Sequence, residues 1–270
     1  TPLVFLSLLL LFSVVHLTRE LHMGNINLEL ILLSRLALHF TIQSRPLPAA
    51  FLLAVLFLLK PYFALLILPM LIARQWHLLI TSLLAIGLIS LLPALFVGFD
   101  QNLDLHAQWL AIMQGHNTGM YSEHTLSSIV YSYSGVRLGT SWQLLFIGAT
   151  GTIYLLMRYP YFIGKRQYTP SHLIADVFVL MALIPNLVIT DSQHFLFSIP
   201  LIGLILVHLA AQRSLWRITL FVILLFFYGA NSNDLLGNPL SDLFDRFSTI
   251  GVANLGLVIF FVFLRKSSAR

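Results

Sequence analysis

Residues 48–73 read PAAFLLAVLFLLKPYFALLILPMLIA, an apolar stretch with one charged side chain, Lys60, beside Pro61. Roughly 20 apolar residues in a helix cross the hydrocarbon core of a bilayer, so this stretch is long enough to span a membrane. A proline inside a helix removes a hydrogen bond and kinks it. The stretch therefore predicts a transmembrane helix that is tilted or kinked at Pro61.

The whole chain has the same character, with 58% hydrophobic residues, 9% charged residues and a mean hydropathy of +0.89. Soluble domains carry about a quarter charged residues, so we predict an all-α, polytopic transmembrane helix bundle that forms a single domain over residues 1–270. About nine spans are expected: 2–17, 27–43, 48–73, 78–98, 140–158, 172–190, 194–211, 215–231 and 249–264. The chain has no cysteine, which excludes disulfides and thiolate ligands.

The basic residues divide unequally when the connections between these spans alternate between two faces. Short cytoplasmic loops carry the excess of Lys and Arg, so the richer face is predicted to be cytoplasmic, with the C-terminus there, in a bacterial inner membrane. That face holds Arg19, Arg74, Arg158, Lys165, Arg166, Arg213, Arg217, Arg265, Lys266 and Arg270, and the other face holds Arg45, Arg137 and Arg246. We attribute the net charge of +5 to these loops and expect no nucleic-acid partner.

One long connection, residues 99–139, lies on the face predicted to be extracytoplasmic. Its segment QNLDLHAQWLAIMQ has apolar side chains at Leu103, Trp109, Leu110 and Met113, which predicts an amphipathic helix in the membrane interface. The same helix carries Asp104, a candidate general base.

Two polar segments on that face contain candidate site residues. In VITDSQHFLFSIP, residues 188–200, His194 is suited to bonding a phosphate or assisting proton transfer and Asp191 to orienting it; alternatively, Asp191 caps the next helix. In GHNTGMYSEHTLSS, residues 115–128, the side chains of His116, Asn117, Glu123 and His124 favour contact with a sugar or phosphate, with a plain solvated loop as the alternative. Their spacing matches no metal signature, so we expect no metal.

Two cations complete the candidate set. A charge near the middle of a bilayer costs on the order of 3 kcal/mol and is seldom left unpaired, so Lys60 requires a partner, either a bound phosphate or a polar group of another helix such as Glu29. Arg137 lies on the extracytoplasmic face and is a second candidate for the phosphate.

Several motifs, in order, resemble the later part of glycosyltransferase family 87 over residues 20–210. The matching features are Gly24, Asn25 and Asn27, then Lys60 and Pro61, Arg74 and Trp76, Asn117 and Ser127, and finally Asp191 and His194. The resemblance implies a membrane enzyme of the GT-C fold, a hexosyltransferase that takes mannose from a polyprenyl-phosphate donor and needs no cofactor. It also implies a general base in an early loop that would precede Thr1, so we expect the chain to be the C-terminal portion of a longer bundle.

The function expected from this resemblance is transfer of a sugar from the lipid-linked donor to an extracytoplasmic acceptor. The alternative is a non-catalytic structural subunit of a larger membrane complex, because the usual base is not in the chain. A transporter is a third class, favoured by the charges inside spans but disfavoured by the lack of an internal repeat. The expected partners are the lipid-linked donor, membrane lipids and other membrane subunits.

Overall fold

The computed structural model describes residues 2–116, 123–139, 141–188, 191–212 and 214–268, which are mostly helical and contain no strand. The predicted all-α class is therefore confirmed. The α-helices are α1 (Pro2–Met23), α2 (Asn27–Ile42), α3 (Pro46–Leu59), α4 (Ile67–Ile72), α5 (Trp76–Leu91), α6 (Ala94–Val97), α7 (Phe99–His116), α8 (Leu126–Ser134), α9 (Ser141–Phe162), α10 (Pro170–Leu187), α11 (Ile199–Gln212), α12 (Leu215–Gly229), α13 (Asn233–Leu236), α14 (Asn238–Arg246) and α15 (Thr249–Ser268). Two 3₁₀ helices, Pro61–Leu66 and Ser192–Ser198, precede α4 and α11.

Four helical segments are long and apolar enough to cross a membrane: Trp76–Val97, Pro170–Leu187, Ser192–Gln212 and Thr249–Lys266. Shorter apolar helices lie at Pro46–Leu59, Pro61–Ile72 and Leu215–Gly229. These helices fit an integral membrane protein, as predicted. Helical segments lie over each predicted span, while the number of complete crossings stays a prediction.

The chain divides into two compact units. Unit 1 comprises Thr1–Leu28, Ser122–Thr150 and Ile174–Arg270, and unit 2 comprises Glu29–Tyr121 and Gly151–Leu173.

Unit 2 is built around α3 and α5, which pack along each other. Leu53 and Leu56 of α3 and Leu78 of α5 are fully buried. The amphipathic helix α7 contacts the end of α5 through hydrogen bonds. Asn102 and His106 both bond the carbonyl oxygen of Ser90, at 3.1 and 2.9 Å. Its other face exposes Leu103, Trp109 and Leu110, the apolar residues predicted to lie in the membrane interface.

The stretch 48–73 is interrupted where Pro61 was predicted to kink it. Helix α3 ends at Leu59, Lys60 is extended at φ −144° and ψ 97°, and a 3₁₀ helix begins at Pro61. Helical geometry is disfavoured for a residue that precedes proline, and this explains why Lys60 is extended. The stretch is thus two helices, each shorter than the roughly 20 residues of a full crossing.

Unit 1 is assembled around α15. This helix packs on α12, α11 and α14, while α1 packs on α12, α11 and the second 3₁₀ helix. Helices α12 and α15 approach closely, with the rings of Phe221 and Phe260 stacked at 6.2 Å and Gly256 set against Leu224. Tight helix contact through small residues is the usual way apolar helices associate in lipid.

Candidate functional site

The polar side chains of unit 1 gather at one end of its helices, where α1, α10 and α12 end and α15 begins. We call the polar cluster the set of residues Arg19, Glu123, His124, Ser192, Asn231 and Asp245.

Three residues of the polar cluster converge most closely. Glu123, His124 and Asp245 each present one nitrogen or oxygen donor atom, and these atoms lie within 4.8 Å of one another. The His124 Nε2 and Asp245 Oδ1 atoms are 3.8 Å apart. His124 is buried at 4% exposure, whereas Asp245 is half-buried and Glu123 is exposed. The group is therefore open to solvent on its carboxylate side.

The backbone of His124 is held by a buried amide network. Asn186 of α10 donates through Nδ2 to the carbonyl oxygens of His124 and Gly251, at 3.0 and 3.1 Å. Asn254 in turn donates to Asn186 Oδ1 at 2.7 Å and accepts from Ser198 Oγ at 2.5 Å. A bond between buried polar groups fixes their positions because breaking it leaves an unsatisfied atom.

Helix α15 passes directly over His124 because of Gly251. A Cβ atom at this position would lie 2.3 Å from the His124 carbonyl oxygen, a distance no side chain tolerates. On the other side of His124, Thr125 caps α8 by accepting a hydrogen bond from the Ser128 amide at 3.2 Å. His124 thus lies between two helix starts that cannot shift independently.

Asp245 is positioned from the opposite side. Asn231, which follows α12, donates through Nδ2 to Asp245 Oδ1 at 2.5 Å, and its own Oδ1 accepts from Ser241 Oγ at 2.8 Å. Ser241 and Asp245 lie one turn apart on α14, so Asn231 holds that face of the helix.

The guanidinium of Arg19 joins α1 to the start of the second 3₁₀ helix. Its Nη1 donates to Ser192 Oγ at 2.5 Å, and its Nη2 donates to the Asn231 carbonyl oxygen at 3.5 Å. The guanidinium fork is suited to binding phosphate and carboxylate oxygens. It is the cation of the polar cluster.

Burial and neighbouring charges shift the pKa values of Glu123, His124 and Asp245. Partial desolvation of the carboxyl group and then the nearby Asp245 carboxylate raise the pKa of Glu123, and burial raises the pKa of Asp245 against the opposing hydrogen bond from Asn231. Burial, followed by repulsion from His16 and Arg19, lowers the pKa of His124 to about 3. The His124 imidazole is therefore neutral at pH 7 and keeps a lone pair for a proton or a cation.

The prediction that Arg19 lies on the membrane face opposite to Glu123 and Asp245 is wrong. Three predicted spans, 27–43, 48–73 and 78–98, separate Arg19 from Glu123, and an odd number of complete crossings would put the two on opposite faces. Arg19 instead bonds Ser192 and lies in one cluster with Glu123 and Asp245. Hydropathy counts apolar segments but does not reveal whether each crosses completely, as the broken stretch 48–73 illustrates.

Asp191 and His194 lie at the same end of unit 1, beside Ser192, and contact each other through the Asp191 backbone. The Asp191 carbonyl oxygen accepts from the His194 amide at 3.0 Å and lies 3.2 Å from His194 Nδ1. The Asp191 carboxylate accepts from Gln193 Nε2 at 3.0 Å, and it does not cap the helix. His194 is buried against Phe197, while Asp191 is exposed. The carboxylate is thus free of the two roles considered from the sequence, orienting His194 and capping.

The other predicted site residues are not members of the polar cluster. Arg137, exposed after α8, stacks over the Tyr131 ring at 5.1 Å. Lys60 is half-buried and Asp104 is exposed, both in unit 2. The backbone of His116 ends α7, and Asn117 lies outside the described residues.

No role in a site was predicted from the sequence for Arg19, Ser192, Asn231 or Asp245. Arg19 and Asn231 are 212 positions apart, and no local spacing links them. The one available signal was the polar NSND run at 231–234 directly after an apolar helix. This run marks a helix end but does not identify its partners.

Comparison with known proteins identifies the family. The family model of glycosyltransferase family 87 matches residues 1–190, which include Arg19, Glu123 and His124 and exclude Asp191, His194 and Asp245. No curated protein and no solved structure matches the chain. The family match covers more than half of the sequence, as the ordered motifs predicted, and the chain belongs to glycosyltransferase family 87.

Proposed function

We propose that the chain is a membrane glycosyltransferase that takes a sugar, mannose by the family resemblance, from a polyprenyl-phosphate donor and transfers it to an extracytoplasmic acceptor. The polar cluster, with Asp191 and His194 beside it, is the proposed reaction site. A donor of this kind presents a charged phosphate at a membrane surface and an apolar chain inside it. The end of an apolar helix bundle that carries a guanidinium suits such a molecule.

The observation that carries the proposal is the position of Arg19. Its guanidinium is half-buried among neutral polar partners, the Ser192 hydroxyl and the Asn231 carbonyl, with no carboxylate in hydrogen-bond contact among the described residues. Charge that develops on a departing phosphate is stabilised by fixed cations and hydrogen-bond donors, which is a large term in enzyme catalysis. We assign phosphate binding to Arg19, with His194 as a second donor.

The acceptor hydroxyl requires a group that removes its proton as it attacks the anomeric carbon. Asp191 supports this role because its carboxylate is exposed, follows α10 and precedes Ser192, the partner of Arg19. The hydroxyl oxygen forms the new bond to carbon, the bond from carbon to the phosphate oxygen breaks with its electron pair, and the proton passes to Asp191.

The other predicted contacts stay predictions. Lys60, Arg137, His116 and Asn117 are proposed to contact the donor or the acceptor, and Asp104 is the second candidate for the base. Glu123 and His124 are proposed to act on the donor phosphate from within the polar cluster.

The test is transfer of labelled mannose from a polyprenyl-phosphate donor by the purified full chain in liposomes, with lipid and glycan acceptors supplied. Arg19→Gln should lower the rate about 100- to 1,000-fold, the cost of removing one stabilising donor. Asp191→Asn should cause a comparable loss.

Arg246→Gln is the matched control, since Arg246 is an exposed arginine at the end of α14 and should transfer at the wild-type rate. Wild-type rates in both Arg19→Gln and Asp191→Asn would refute the assignment. If the wild-type chain binds the donor but transfers nothing, the structural-subunit alternative replaces the proposal.

A further inference from the structure

We propose that Glu123, His124 and Asp245 form a binding site for a divalent first-row metal cation of the Mn²⁺ or Zn²⁺ class. The motif spacing in the sequence predicted no such site, because Asp245 lies far along the chain from the other two residues.

The donor set and its geometry suit such an ion. One imidazole nitrogen and two carboxylate oxygens lie within 4.8 Å of one another. Donors bound to one ion at about 2.1 Å lie no more than about 4.2 Å apart, so small side-chain movements close the site. A mixed nitrogen and oxygen set favours Mn²⁺ or Zn²⁺ over Ca²⁺, which takes oxygen ligands alone.

His124 supplies evidence independent of the acidic pair. It is buried at 4% exposure, and the nitrogen that it presents to Asp245 is Nε2; the other ring nitrogen, Nδ1, has no hydrogen-bond partner among the described residues. Its Nε2 points at Asp245 Oδ1 from 3.8 Å, which is too long for a hydrogen bond. The His124 ring thus faces the carboxylates without a hydrogen bond to them. Its position is fixed through the backbone of His124, by the hydrogen bond from Asn186 and the close approach of Gly251.

One of the proposed ligands, Asp245, is also held by neighbouring hydrogen bonds, as ligands of bound metals usually are. Asn231 bonds Asp245 Oδ1, and Ser241 orients Asn231. Charge balance favours a cation as well, because two ionised carboxylates outnumber Arg19, the one guanidinium of the polar cluster, whose charge acts on both. The polar cluster therefore carries more negative than positive charge when both carboxylates are ionised.

The role of the ion rests on the proposed function. A cation held by three protein donors keeps coordination positions open, and a phosphate oxygen of the donor is the ligand that suits them. Glu123 and His124 would then contact the donor phosphate through the ion. Binding of the ion by itself does not depend on transfer activity.

The experiment titrates Mn²⁺ into the purified full chain in detergent micelles after treatment with a chelator, and follows the loss of the free Mn²⁺ signal by electron paramagnetic resonance. The wild-type chain should bind one Mn²⁺, and added Zn²⁺ should displace it. Glu123→Gln and Asp245→Asn should each weaken binding at least about tenfold. Asp234→Asn is the matched control, because Asp234 is an exposed carboxylate of the same unit and should leave affinity unchanged.

Thermal melting keeps the result interpretable, since Glu123 is exposed and its replacement should leave the metal-free melting temperature unchanged. Zn²⁺ should raise the melting temperature of the wild-type chain and not that of Glu123→Gln. The proposal is overturned if the wild-type chain binds no Mn²⁺, or if Glu123→Gln and Asp245→Asn both bind it as the wild-type chain does. Stoichiometric Mn²⁺ binding without sugar transfer would retain the cation site and refute only the proposed function.

Discussion

Arg19 in unit 1 and Lys60 in unit 2 are both cations at the end of an apolar helix, and they differ in what surrounds them. The Arg19 guanidinium is held by Ser192 and Asn231. The Lys60 ammonium is half-buried, and within the described ranges it makes no hydrogen bond or ion pair, including with Glu29. Arg19 is thus part of a fixed network, whereas Lys60 occupies the break between two helices.

This difference shows that a charge in an apolar segment, although it is costly to insert into a membrane, does not by itself mark a site with supporting hydrogen bonds. Lys60 was the most conspicuous charge in the sequence, because it lies inside the longest apolar stretch. The structure gives the supporting network to Arg19, which lies at the end of an ordinary apolar segment. Matched substitutions in the two units, compared by their effect on stability, show which residues are stabilised by their surroundings.

The largest expected effect comes from the glycine over His124. Gly251→Ala places a Cβ atom 2.3 Å from a backbone oxygen, while Gly87→Ala on α5 meets nothing within 4 Å. Gly251→Ala should lower the free energy of unfolding by about 3 kcal/mol, and Gly87→Ala should leave it unchanged or raise it by up to about 1 kcal/mol. Thermal melting in detergent measures both; equal melting temperatures would contradict the close helix approach.

Removal of a buried amide should follow in size. Asn254→Leu leaves Asn186 Oδ1, the Ala182 carbonyl oxygen and Ser198 Oγ without this partner, and each lost bond costs about 1 kcal/mol or more. In unit 2, Asn102→Leu removes one bond to Ser90 and an amide oxygen that has no partner among the described residues. The Asn254 variant should therefore melt lower than the Asn102 variant, and the reverse order would show that the network does not stabilise unit 1.

The two cations give the direct comparison. Arg19→Gln should destabilise the chain by about 2 kcal/mol, since hydrogen bonds from a charged donor contribute about 1.5–3 kcal/mol. Lys60→Gln loses no partner among the described residues and removes a charge from an apolar stretch, so the melting temperature should stay the same or rise. A larger loss for Lys60→Gln would show that the ammonium has a stabilising partner.

The smallest expected effect is at a helix start. Thr125→Ala removes the side-chain cap of α8 and should cost about 1 kcal/mol. Gln75 precedes α5 without a side-chain cap, so Gln75→Ala should change stability by less than about 0.5 kcal/mol. Because His124 adjoins Thr125, the Mn²⁺ affinity of Thr125→Ala should also fall, whereas that of Gln75→Ala should not.

Much of the fold followed from hydropathy alone. The helical segments over the nine predicted spans, the interruption beside Pro61 and the amphipathic helix α7 were all predicted, because each depends on residues close together in sequence. The short helices α8, α13 and α14 were not predicted. The site was predicted less completely. Glu123, His124, Asp191 and His194 were identified from polar residues between apolar helices, but the roles and partners of Arg19, Asn231 and Asp245 were not.

The sequence by itself determined that this protein is a helical membrane protein of glycosyltransferase family 87, since apolar length and ordered motifs are properties of the linear chain. Only the tertiary structure decided that Arg19 lies with Ser192 and that Asp245 faces His124. These contacts join residues more than 100 positions apart, and which helix ends meet depends on side-chain packing and close approaches such as those at Gly251 and Gly229. Hydropathy carries no information on those contacts, so the polar cluster could be recognised only in three dimensions.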